Sequence, residues 1–268
     1  MSIVFNTGET NESLRKEYNP DGSLLRQVQL RMLDMLLYID KICSEEHIEY
    51  RIDGGNVLGA VRHGGFIPWD DDIDIALPLK DYYRLCSYLK KHPHDRYVLQ
   101  DNTTDNEYRF WSTLRDTNSE YVQDSREHNN KRYRGLQVDI FPFETNVVPF
   151  LNKVSWKITG VNLKYFVGRN NWVAQQVYNL QKNVIHPFFR LIGKVIGDSN
   201  LCSHSYGTQF WFSFPKDIVY PLKRISFEGY MFPAPNDVVK YLKQQYNDYM
   251  ALPPREARNH HKAEYRIW

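Results

Sequence analysis

The stretch that most constrains this chain is Trp69 to Leu77, which reads W-D-D-D-I-D-I-A-L. Four carboxylates, Asp70, Asp71, Asp72 and Asp74, fall within five positions, and Ile73, Ile75 and Leu77 alternate with Asp72, Asp74 and Ala76. Alternation with a period of two marks a β-strand with one apolar face. This spacing puts Asp70, Asp72 and Asp74 on one face and sends Ile73, Ile75 and Leu77 into a core. Like charges crowded in this way repel unless a cation neutralises them. Hard oxygen donors suit Mg²⁺ or Mn²⁺. Acidic runs are more often solvated loops, but the rigid, bulky Pro68-Trp69 and the apolar alternation argue for an ordered element. An EF-hand calcium loop fails, because its sixth position, which needs Gly, is Ile75.

Upstream, an apolar-ended strand from Ile48 to Ile52 runs into Gly54-Gly55 and then a short helical pattern, Val57, Leu58, Val61. A double glycine between strand and helix lets backbone N–H groups approach a phosphate. Downstream, Val138-Asp139-Ile140-Phe141 sets one acid among apolar residues in a buried-strand pattern. A buried carboxylate needs a partner. Either a cation shared with Asp72 and Asp74 or an arginine satisfies it. Arg115 ends another apolar strand, where it meets a phosphate or forms an ion pair with Asp116.

The block G-G-N-V-L-G-A-V-R-H-G-G-F-I-P-W-D-D-D-I-D, residues 54–74, resembles the signature of the LicD family, whose wider group includes the fukutin-related proteins. The resemblance runs from about Leu24 to Val138–Pro142, and returns weakly at Tyr249–Pro254 and His260-His261. It implies a nucleotidyltransferase-like fold and a metal-dependent transfer of a phospho-alcohol, most simply phosphocholine, from a CDP-linked donor to a cell-surface glycan or lipid-linked glycan, releasing CMP. By the same resemblance, Asp72, Asp74 and Asp139 converge on one Mg²⁺ or Mn²⁺, with Asp139 as ligand or proton acceptor. Gly54, Gly55, Arg62 and Arg115 would meet the donor phosphates, an ordinary surface role being the alternative for Arg62. Asp70 and Asp71 would orient the metal ligands. Two other readings stay open: a nucleotidyltransferase that leaves nucleoside monophosphate on its acceptor, and a non-catalytic, metal-stabilised glycan- or nucleotide-binding module.

The expected fold class is α/β (α+β), a mixed nucleotidyltransferase-like sheet with a mostly helical insertion. Residues 1–22 form an extended arm, 23–144 the catalytic core, 145–215 the insertion, and 216–268 a strand, helix and charged tail that complete the core. Helices are expected over about Leu24–His47, Asp81–Lys91 and Asp237–Tyr249, and a polar loop over Ser119–Arg134. Residues 145–197 contain no Asp or Glu but carry Lys153, Lys157, Lys164, Arg169, Lys182, Arg190 and Lys194 among aromatic residues. That segment, interrupted at Pro187 and Gly193, either lies on an anionic membrane surface or caps the acidic half. A net charge of +2 argues against a nucleic-acid binder. Three scattered cysteines suit reduced, buried side chains. The first residues lack a signal-peptide layout and no apolar run is long enough to span a bilayer, so a cytoplasmic protein, free or at the inner face of the membrane, is expected.

Overall fold

The computed structural model describes residues 4–122, 125–258 and 264–268. His260 and His261 lie outside the described residues. The amino-terminal stretch, expected to be extended, contains helix α1 (Asn11–Tyr18), because Thr10 and Ser13 cap its first turn reciprocally and Leu14 is buried. Ser23 caps α2 (Leu24–Glu45), which lays Val28, Met32, Leu36 and Ile39 into the core. Strand β1 is only Arg51–Ile52, shorter than expected. Helix α3 (Gly54–His63), β2 (Asp74–Pro78) and α4 (Leu79–Lys91) follow. Strands β3 (Tyr97–Gln100) and β4 (Ser112–Asp116) form a hairpin.

The expected polar loop instead holds β5 (Ser119–Val122) and the short α5 (Arg126–Asn129). Then come the long β6 (Gln137–Thr145) and the helices α6 (Pro149–Tyr165), α7 (Asn171–Leu180) and α8 (His186–Ile196). A π-helical turn, Gln181–Ile185, fuses α7 to α8. Pro187 therefore does not interrupt the rod, as the sequence suggested. The wider turn, in which the His186 N–H donates to the Gln181 carbonyl, absorbs the proline's missing donor. Strands β7 (Leu201–His204) and β8 (Ser213–Pro215) return to the sheet. Helix α9 (Lys216–Val219), the hairpin β9 (Lys223–Phe227) and β10 (Tyr230–Ala234), and α10 (Val238–Tyr246) follow. The final segment is not a loose charged tail: β11 (Glu264–Ile267) pairs antiparallel with β5.

The fold is mixed α/β. The main sheet has seven strands, ordered β1-β2-β6-β4-β3, with β7 and β8 continuing from β6. Only β2 and β6 are parallel neighbours; the other pairs are antiparallel. β4 pairs with the first half of β6 and β7 with its last residues, so both share the edge opposite β2. One large core joins α2, the sheet and the β9–β10 hairpin. A small second cluster, Tyr108, Val167, Ala174 and Tyr178, packs the base of the helical insertion.

Candidate active site

The acidic strand is shorter than its sequence pattern suggests. It begins at Asp74, and Asp70 to Asp72 lie in the turn before it. Ile73, Ile75 and Leu77 are nonetheless fully buried. The parallel register places Asp74 directly beside Asp139. Side chains at paired positions of neighbouring strands point the same way, so the two carboxylates share a face although 65 positions separate them in sequence. The Ile73 carbonyl accepts from the Asp139 N–H at 2.8 Å, which locks that register. On the other side of β6, Thr113 of β4 donates to Asp139 Oδ1 at 2.6 Å.

The glycine turn is stitched to the same strand. Asp53 N–H donates to the Asp74 carbonyl at 2.9 Å. The Asp74 N–H donates to Asn56 Oδ1 at 2.6 Å, while Asn56 Nδ2 donates to the Asp72 carbonyl at 3.3 Å. Gly54 opens α3 at φ +50°, a left-handed conformation that L side chains rarely adopt. A Cβ on Gly55 would come within 3.3 Å of Asp70 Oδ2. The turn thus presents its backbone to carboxylates, and the Gly54 N–H itself points at the Tyr241 hydroxyl, 3.4 Å away.

Burial, and then the charges of Asp72, Asp139, Asp53 and Asp70, hold the Asp74 carboxyl well above the usual carboxylate range. Asp72, Asp74 and Asp139 line one cavity of about 550 Å³, together with Arg109, Trp111, Glu127, Phe141, Trp156, Lys164 and Phe210. Three carboxylates on one cavity, with the ionisation of Asp74 opposed by its neighbours, have the donor chemistry of a hard divalent cation site. The side chains are less closely gathered than the sequence led us to expect. Among the described residues, no three His, Cys, Asp or Glu side chains are grouped to hold an ion.

The profile described as LicD/FKTN/FKRP, nucleotidyltransferase domain, matches residues 47–188. The chain belongs to this family. It is also 26% identical to the lipopolysaccharide cholinephosphotransferase LicD of Haemophilus influenzae, across 88% of this chain and 95% of that protein. A segment of 44 residues is 41% identical to the ribitol 5-phosphate transferase FKRP of human and mouse, but it covers only 16% of this chain and 9% of theirs.

The LicD-family match spans α3, β2 and β6, and so contains the whole acidic face. The two arginines singled out from sequence do not line that cavity. Arg62, far from being an ordinary surface residue, is buried and donates to the backbone carbonyls of Tyr249 and Ala251. Burial lowers its pKa to about 10. Arg115 is also buried and donates to Gln100 Oε1 and the Gly135 carbonyl. It makes no ion pair with Asp116, whose carboxylate is bound by Arg96 at 2.8 Å.

Sequence reasoning missed a second acidic centre behind the glycine turn. Asp53, almost fully buried, accepts from Arg51 at 3.0 Å, from His204 Nε2 at 2.7 Å and from the Tyr241 hydroxyl. Burial alone would raise its pKa, but the charges of Arg51 and His204 outweigh it and hold the carboxyl well below the usual range. It also missed Asn56, Thr113 and the aromatic wall. The Asn in G-G-N was a signal for the first; the others come from segments whose proximity only the fold creates.

Proposed function

We propose that this LicD-family protein transfers phosphocholine, or a closely related phospho-alcohol, from a CDP-linked donor to a hydroxyl of a cell-surface glycan precursor, releasing CMP. One observation carries the reading: Asp74 and Asp139 stand side by side on parallel strands in a cavity that four aromatic side chains, Trp111, Phe141, Trp156 and Phe210, also line. The acids suit a diphosphate bridged by a divalent cation. The aromatic faces suit a quaternary ammonium, which is drawn to π-systems. Arg109 already rests over Trp111, 5.2 Å from its ring centre, so this wall accepts a cation. A polyol such as ribitol would gain less from four aromatic rings.

We assign Asp72, Asp74 and Asp139 as the residues that hold Mg²⁺ or Mn²⁺. When bound, such an ion neutralises charge on the donor diphosphate and on the departing CMP. Asp74 and Asp139 are already neighbours through their backbones, so side-chain rotation is the movement needed to close the set. Thr113 fixes one oxygen of Asp139, and the other is assigned to the ion or to the proton of the incoming hydroxyl. Gly54 and Gly55 face Asp74 and Asp70, so a phosphate reaches those amides only with countercharge present. The chain otherwise supplies position: transfer of this kind needs alignment and charge neutralisation more than covalent help.

Incubation with CDP-choline, Mg²⁺ and a glycan acceptor should release CMP and add phosphocholine to the acceptor, with chelator abolishing both. CDP-ribitol should be a poorer donor. A product that keeps the nucleoside monophosphate would instead establish the nucleotidyltransferase reading. Tight binding of CDP-choline without turnover on any acceptor would favour the non-catalytic module.

A further inference from the structure

The helical insertion is built inside out. The buried residues of α6 are Asn152, Ser155, Thr159 and Asn162, all polar. Along the rod formed by α7, the π turn and α8, the buried residues are Ala174, Tyr178, Gln181, His186 and Gly193. Several of these inward groups bond one another or nearby backbone, although Asn162 Oδ1 and Gln181 Oε1 have no partner among the described residues. Ser155 bonds His186 Nε2 at 2.6 Å, Gln181 donates to the Ser155 carbonyl and to Thr159, and Asn162 donates to the Ala174 carbonyl. Facing outward on the rod are Leu180, Val184, Phe188, Leu191 and Val195, spaced four, four, three and four apart, and 53 to 79% exposed. Trp172 and Phe150 are more than 70% exposed as well.

A helix pair in water does the reverse, burying its apolar stripe. Small and polar residues between helices with apolar residues outside is the pattern of helices whose surroundings are lipid. No helix among the described residues is long and apolar enough to cross a membrane. Polar and charged positions interrupt the rod, as in helices that lie in the plane of the interface. The charge on this surface has one sign. Lys153, Lys157, Lys182 and Lys194 are exposed, and no acidic residue occurs from 145 to 197.

We infer that the insertion is a docking face for an anionic bilayer, with the outer stripe of the α7–α8 rod set among the acyl chains and its lysines against the headgroups. A protein partner or a second copy would equally cover an apolar stripe. The insertion's exposed lysines, with no acid among residues 145–197, are what select a negatively charged lipid surface. Because α6 also supplies Trp156 and Lys164 to the acidic cavity, docking would hold that cavity at the membrane, where a lipid-linked acceptor resides. This last consequence, unlike the docking itself, rests on the reaction proposed above.

The test is co-sedimentation of the full chain with vesicles of phosphatidylcholine alone or mixed with phosphatidylglycerol. Binding should require the anionic lipid and be released by salt. Phe188→Ser/Leu191→Ser/Val195→Ser should lose at least about tenfold in affinity. Neutralising Lys182 and Lys194 to Gln should cost roughly fivefold for each lysine. Both variants should keep the wild-type circular dichroism and turnover on a soluble acceptor. Trp fluorescence should shift to the blue on binding, and less so in Trp172→Phe. Asp74→Asn should bind vesicles normally even if inactive, which separates failure of the reaction from failure of the docking. Equal binding to neutral vesicles, no binding to either, or a dimer in solution that the triple variant converts to monomer would each overturn the inference.

Discussion

Two acidic centres touch back to back in this molecule, joined by the hydrogen bond from the Asp53 N–H to the Asp74 carbonyl. They are handled in opposite ways. Asp53 is surrounded by donors from the strand that leads into it, Arg51, and from two distant segments, His204 and Tyr241, and its pKa is pulled down. Asp74 is pressed by burial and by other carboxylates, and its pKa is pushed up. The first centre has its carboxylate matched by positive and donor groups and contributes to the fold. The second is held at a cost by that same fold, which fits the cation proposed for it above.

The largest effect should come from breaking the first centre. Asp53→Ala leaves Arg51 buried without its carboxylate, and loss of one partner of a buried pair costs about 3–5 kcal/mol. Urea unfolding should show that loss; a change below about 1 kcal/mol would mean that water replaces the carboxylate. Asp74→Asn should do the opposite to stability and more to function. Turnover should fall about a hundredfold or more, as each ~1.4 kcal/mol of lost transition-state stabilisation is tenfold. The metal-free variant should melt higher than wild type at neutral pH, because a repelled charge has been removed. A lower melting temperature would mean that Asp74 has a stabilising partner.

pH should sharpen the contrast. Asp74 titrates above the ordinary carboxylate range when folded, so stability in chelator falls as pH rises through its folded value. Asp53 titrates below that range, so its contribution is present above the unfolded value and is lost as pH falls through the folded one. The metal-free protein should therefore be most stable in mild acid. Mg²⁺ should raise the melting temperature more at neutral pH than there, and Asp74→Asn should lose most of that difference. The smallest effect is expected from Thr113→Val. It frees Asp139 to rotate and should lower kcat about tenfold, the scale of one hydrogen bond to a charged group, with little change in KM for the donor.

The acidic face was legible because its signal is local. Alternation around Asp74 and the lone acid at Asp139 each declare a strand and a direction, and the family resemblance joined them. The Asp53 centre was not legible. Its partners His204 and Tyr241 come from β7 and α10, and a single His or Tyr there looks like ordinary core. Arg62 and Arg115 were misjudged for a related reason: they bind backbone carbonyls and an amide, which sequence patterns do not display. β11 hid as a tail because its apolar face is only Tyr265 and Ile267, while its outer face carries Glu264 and Arg266, the latter paired with Glu120. The insertion read only as a basic, aromatic, mostly helical segment, because composition does not say which helix face turns inward.

The two ends of the insertion meet in the sheet, where Thr145 and Cys202 are paired neighbours on β6 and β7. Everything between them leaves and re-enters through one narrow doorway. Doubling the length of such a closed excursion costs only about 0.6 kcal/mol of chain entropy. The length of the segment beyond α6 can therefore vary at little entropic cost while β2 and β6 keep their acids in register and α6 keeps Trp156 and Lys164 at the cavity. Inheritance can alter the outer face of the rod without disturbing the pairing of the two acidic strands.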